Sequence, residues 1–105
     1  MHEAGLARAI AAWLRERGLE PADVRLFVRG GHTAPADFDS ALRVHLALEM
    51  PEVDPALEIV HIPVPRVCAG CGRTFESADA ADACPACGGT ALPAHLDEQV
   101  EIEPR

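Results

Sequence analysis

The chain reads as an α+β protein: a small sheet of about three strands packed with two helices, and a four-cysteine metal-binding segment inserted before the last strand. Three observations predict this. Apolar residues recur twice at helical spacing in the first half of the chain. Each of those stretches is followed by a short alternating or β-branched run. The cysteines stand as two Cys-x-x-Cys pairs, Cys68 with Cys71 and Cys84 with Cys87.

Taken in order, Leu6, Ile10, Trp13, Leu14 and Arg17 place a stripe along one side of a helix covering about residues 4–17. Gly18 ends it and Pro21 prevents its resumption. Val24, Leu26 and Val28 then alternate with Arg25 and Arg29, the mark of a half-buried strand, with Phe27 breaking the polar side. Gly30-Gly31-His32-Thr33 is a turn, and Pro35 suits the first turn of a second helix running to about Glu49. Phe38, Ala41, Leu42, His45 and Leu48 form its expected inner stripe, and Met50-Pro51 stops it. Ala56 to Ile62 reads as a second strand. A strand, helix and strand in this order suit a right-handed crossover with both helices on one face of the sheet. Pro63 and Pro65 make a stiff link into the cysteine segment. Val100 to Glu103 returns as a third strand beside the first two, so residues 1–64 and 97–105 form one domain and residues 65–96 another.

Two residues between the cysteines of a pair let one tight turn aim both sulfurs at one point. Two such turns supply the four thiolates of a tetrahedral, zinc-ribbon-like site. All the cysteines are used, and twelve residues separate Cys71 from Cys84, enough for a hairpin between the two turns. Gly72 and Gly88 follow the second cysteine of each pair, where the backbone favours a residue that tolerates positive φ. Roughly 25 residues cannot bury a core adequate for folding alone, so the metal supplies the missing stability. A redox dithiol needs only one such pair, and two disulfides need an oxidising compartment that nothing here supports. A single iron ion suits the same four-thiolate cage and stays open beside zinc. Closed coordination leaves no position for water or substrate, so the expected role is structural.

Composition limits the rest. The hydrophobic fraction of 49% overstates the core, because 19 of those residues are alanine and only Trp13, Phe27, Phe38 and Phe75 are aromatic. Nine basic against seventeen acidic residues give a net charge of −8, which opposes binding to a phosphate backbone. No leader sequence or membrane-length apolar run is visible, so the cytoplasm is the expected compartment. No nucleophile-base pair or open metal position argues for an enzyme.

Met1-His2-Glu3 offers a second kind of metal site. A free α-amine, the amide nitrogen of His2 and its Nδ1 can close two adjoining chelate rings, a nitrogen donor set that suits Ni(II) or Cu(II) better than tetrahedral zinc. The bulky His2 is a poor context for removing Met1. Amine and imidazole must both lose protons to bind, and with reference pKa values near 7.8 and 6.5 the site weakens as pH falls toward 6. An exposed histidine ahead of a helix, with Glu3 favouring the helix dipole, is the plainer alternative.

Taken together, Met1-His2-Glu3 opening a helix, the Val-Arg-Leu strand, the Pro-led second helix, Leu57-Glu58-Ile59 leading to Pro63, and Cys-x-x-Cys-Gly followed by Cys-Pro-x-Cys-Gly resemble the HypA/HybF family. These are nickel metallochaperones of nickel-iron hydrogenase maturation, and the likeness covers nearly the whole chain. It implies Ni2+ as transported cargo, delivered to the hydrogenase large subunit in concert with a HypB-type GTPase, and in some organisms to urease maturation. The implied nickel ligands are the amine of Met1, the backbone and imidazole of His2 and the backbone of Glu3. The implied structural Zn2+ ligands are Cys68, Cys71, Cys84 and Cys87. The sequence leaves open a monomer or a homodimer, and its charge and apolar runs lead to the expectation of neither nucleic acid nor membrane as partner.

The chain departs from that pattern in three places. The acidic residue usual before the second helix is replaced at Ala34, with His32 the nearest substitute. Arg29 and Gly30 stand where a glycine and a glutamate are usual. The chain ends early, which predicts a curtailed third strand. Among the other histidines, His45 and His61 read as partly buried and hydrogen-bonded, His95 as exposed near the cysteines, and His32 as the first choice for a role. The reading from another class is a zinc-ribbon interaction module, contacting protein or nucleic acid, without nickel.

Overall fold

The computed structural model describes residues 3–30, 34–79, 82–93 and 99–105. The elements are α1 (Glu3–Arg17), a 3-10 turn (Pro21–Asp23), β1 (Val24–Arg29), α2 (Pro35–Glu49), β2 (Glu58–Ile62), β3 (Val64–Cys68), β4 (Thr74–Ser77), β5 (Ala91–Pro93) and β6 (Gln99–Pro104). Two helices and two three-stranded sheets make an α+β protein.

Helix α1 buries Leu6, Ala7, Ile10, Ala11 and Leu14, a stripe in which alanines let the helix lie close to its neighbours. It stops at Gly18, whose φ of 66° lies in the left-handed region. There the Leu19 N–H reaches the Leu14 carbonyl and the Gly18 N–H that of Arg15, the paired closure of a glycine-ended helix. Pro21 opens the 3-10 turn, closed by reciprocal bonds between Glu20 and Asp23.

Strand β1 lies in the centre of the first sheet, with β2 parallel on one side and β6 antiparallel on the other. Its Val24, Leu26 and Val28 share one buried cluster with both helices. The parallel pair joined through α2 is the expected strand-helix-strand unit. Strand β6 pairs from Val24↔Pro104 to Arg29↔Gln99, the full length of β1. The expected curtailment of this strand therefore does not occur. Val100 and Ile102 sit opposite Val28 and Leu26 and complete the helix-facing side.

The inner face of α2 differs from the expected stripe. Phe38, Leu42 and Leu46 are buried and Met50 joins them, while Leu48 is 73% exposed and Ala41 and His45 are half-buried. A strict i, i+4, i+8 row follows from packing at one crossing against α1, and Leu48 falls outside it. Ala34 caps this helix without a side-chain bond.

The second sheet has the order β4-β3-β5, all antiparallel. The expected Pro63–Pro65 link is shorter than the prolines suggest. Strand β3 begins at Val64 and takes in Pro65, leaving Pro63 alone between the sheets. Pro65 lies opposite Glu76 in the β3–β4 ladder, and because Cys68 N–H donates to Arg73 on that side, alternation turns the nitrogen of Pro65 away from β4, so its missing N–H costs that ladder nothing. Among the described residues, no helix is long and apolar enough to cross a membrane.

Candidate metal centre

Cys68 ends β3, Cys71 lies in the turn that follows, and Cys84 and Cys87 flank a second turn beside the Ala83↔Thr90 bridge. The two turns share one hydrogen-bond plan. Gly72 N–H donates to the Cys68 carbonyl and Gly88 N–H to that of Cys84, at 2.9 and 2.8 Å. Cys68 N–H donates to Arg73 and Cys84 N–H to Gly89, at 2.8 and 3.0 Å. Each turn closes through a glycine in the left-handed region, Gly72 at φ 75° and Gly88 at φ 73°, as expected. The first cysteine of each pair is buried and the second exposed, so both turns present their sulfurs from the same depth.

The four sulfurs lie within 4.8 Å of one another, with Cys68 to Cys87 at 3.4 Å and Cys71 to Cys84 at 3.7 Å. A tetrahedral zinc with bonds of about 2.3 Å places its sulfurs about 3.8 Å apart, so the cluster fits that ion closely. These separations are far longer than a disulfide bond of about 2.05 Å. The N–H groups of Gly70 and Cys71 approach the Cys68 sulfur at 3.3 and 3.4 Å and stabilise it as a thiolate.

Protons show what the cluster lacks without a cation. The Cys71 backbone N–H leads the contacts that hold Cys68 down to about 6. Its own negative charge, through the shared hydrogen bond, pushes Cys87 up to about 12. At Cys71 the Arg73 backbone N–H pulls downward, but burial and the neighbouring sulfurs outweigh it and the thiol rises. Four thiols this close cannot all ionise by themselves. A divalent ion reverses that balance and takes all four as thiolates. The site accordingly suits a structural metal such as zinc.

Two residues matter here beyond those the motif singles out. A Cβ on Gly89 would stand 2.8 Å from the Cys68 sulfur and 3.2 Å from that of Cys87, so only glycine fits against the cage. The doubled glycine after Cys87 was the available signal. Arg66 is 1% exposed, on the same face of β3 as Val64 and Cys68. Its Nε donates to the Ser77 carbonyl at 3.0 Å, and its two terminal nitrogens have no partner among the described residues. Four thiolates around a divalent ion form a dianion, and Arg66 brings a buried positive charge to the same side of the strand. Charge alone, in a segment that also carries Arg73, Glu76, Asp79 and Asp82, gives no hint that Arg66 lies inside.

Of the other predicted ligands, only Glu3 lies among the described residues, and it is not part of this cluster. Glu3 is the first residue of α1 and half-buried, while Met1 and His2 lie outside the described residues, as do His32 and His95. His61 Nε2 stands 2.6 Å from Asp39 Oδ1 and its ring packs edge-on to Phe38, so it is a satisfied, positioned side chain. No family model, curated protein or solved structure matches the chain.

Proposed function

We propose that the protein is a nickel metallochaperone, with a structural metal at Cys68, Cys71, Cys84 and Cys87 and Ni(II) carried at Met1-His2-Glu3. The observation that carries the reading is the closure of the sulfur cage. All four cysteines converge on one point, so a cargo ion needs a different donor set. The nitrogen atoms of the first two residues provide one, chemically matched to Ni(II) and distinct from sulfur. Glu3 is the first residue of α1, where a backbone N–H has no intrahelical partner and its nitrogen is therefore not committed to the helix. In this reading the zinc sheet shapes the molecule, and a proton-sensitive amine and imidazole let the cargo go. The client is the nickel-iron hydrogenase large subunit, with a HypB-type GTPase as partner and urease maturation as a second destination.

Zinc-loaded protein titrated with Ni(II) at pH 7.5 and pH 6 tests this. Tight binding at the higher pH, weaker binding at the lower, and loss of both on His2→Ala or on acetylation of the Met1 amine are expected, with zinc content unchanged. Mass spectrometry of the same sample establishes whether Met1 carries a free amine. X-ray absorption that places nickel on sulfur, or a titration curve unmoved by His2→Ala, overturns the assignment in favour of a metal-stapled interaction module.

A further inference from the structure

Strand β6 is an edge of the first sheet, and its hydrogen-bonding groups can be assigned. The Arg105 N–H donates to the Asp23 carbonyl at 2.8 Å, in register with the pairs Val24↔Pro104 to Arg29↔Gln99. In an antiparallel ladder the pairs alternate between bonded and non-bonded. Glu103, Glu101 and Gln99 therefore bond to β1, while the N–H and C=O groups of Val100 and Ile102 point away from it. Among the described residues nothing pairs with them.

Beside this edge lies an apolar cleft of about 240 Å³, bounded by Leu6, Ala9, Ile10 and Trp13 of α1 and by Val100 and Ile102. The opposite side of β6 carries Gln99, Glu101 and Glu103, all exposed. A strand added at about 4.8 Å would alternate its side chains between these two environments. One set would enter the cleft against Trp13 and Ala9, and the other would lie next to the Glu101 and Glu103 carboxylates.

We propose that this edge docks an extended segment of a partner protein in which apolar and basic residues alternate. The apolar residues fill the cleft, the basic ones pair with the β6 carboxylates, and the backbone bonds to Val100 and Ile102. Pro104, which has no N–H, ends the docked stretch. A second copy of this chain is the poorer occupant, because two β6 strands paired about Glu101 set glutamate against glutamate. The outer edge of β2 is less suited, since the flanking Glu58 carboxylate already binds Arg25 and Arg105. The proposal rests on the first sheet alone and is independent of nickel.

The test uses the zinc-loaded protein and short labelled peptides alternating lysine with valine or glutamate with valine. Fluorescence anisotropy should show the lysine peptide binding at least about tenfold more tightly than the glutamate peptide, with the gap closing as salt screens it. Amide hydrogen exchange should slow at Val100 and Ile102. The double variant Glu101→Lys with Glu103→Lys should reverse the preference, which an unfolded protein could not do, and Ala9→Glu should obstruct the cleft. Equal binding of the two peptides, an unreversed preference, or no protection at Val100 and Ile102 overturns the proposal. Protection of those amides with peptide absent and dimer formation in sedimentation overturns it in favour of a second copy.

Discussion

The two sheets of this protein are held together by different physics. The helix-backed sheet gathers thirteen buried apolar residues from α1, β1, α2 and the approach to β2 into one cluster. In the cysteine sheet, the buried described residues are Val64 and Ala91, the sulfurs of Cys68 and Cys84, and the polar Arg66 and Ser77. Ser77 itself is tied to polar neighbours, its hydroxyl in reach of the Asp79 carbonyl and the Asp82 carboxylate. The first sheet draws its stability from area removed from water, about 25 cal/mol for each Å² of apolar surface. The second has too little such surface, and a metal held by its four cysteines would supply the difference. One chain can therefore hold a self-sufficient unit and a dependent one, separated by a single proline.

Removing the metal is the most severe way to break that contrast. Structural zinc sites contribute on the order of 10 kcal/mol to folding in small domains. Chelation, or Cys84→Ser, should abolish amide protection across β3, β4 and β5 while α1, β1 and α2 keep theirs. Loss of protection in both sheets together would show that the first sheet also depends on the ion. The converse variant is Leu14→Ala, which empties a fully buried position in the helix-backed core. It should cost about 3 kcal/mol of unfolding free energy and leave zinc affinity unmoved, measured by denaturant titration beside a chromophoric chelator competition.

Acid should separate the sheets more gently. Cys71 is raised and Cys87 stands at about 12, so at neutral pH each must give up a proton for the metal to bind. Lower pH therefore weakens binding, by at least about a hundredfold per unit near pH 7, because each displaced proton contributes a factor of ten. Below about 6 Cys68 also protonates and the dependence steepens. Zinc competition at pH 6.5, 7.5 and 8.5 measures the slope, and a slope of one proton or fewer would contradict the coupled thiols described above. Gly89→Ala is subtler, forcing a Cβ against the Cys68 sulfur at a cost of about 1–3 kcal/mol in metal binding. Gly18→Ala, at positive φ, should cost about 1 kcal/mol in the first sheet only, read from its thermal midpoint.

Much of this was legible in the residues. The ends of α1 and α2, the six-residue β1 and the return of β6 follow from period, glycine and proline, because these are local consequences of backbone sterics and side-chain alternation. The stripe of α2 was harder. His45 and Leu48 fit a helical period as well as Leu46 does, and only the crossing of α2 over α1 selects the Phe38, Leu42, Leu46 row. The link between the sheets was misjudged for a related reason. Proline argues against a strand centre, yet Pro65 is accommodated in β3 opposite Glu76 because its nitrogen faces away from β4.

The cysteine spacing by itself determined that four sulfurs could meet, since two tight turns fix the local geometry of each pair wherever they lie. It also placed Gly72 and Gly88, whose positive φ belongs to the turn. What only the tertiary structure decided is the depth and company of those sulfurs. Arg66 becomes a buried cation, and Gly89 becomes the one residue that fits between Cys68 and Cys87. Burial and closest approach depend on which distant segments pack together, and no local pattern of residues encodes that.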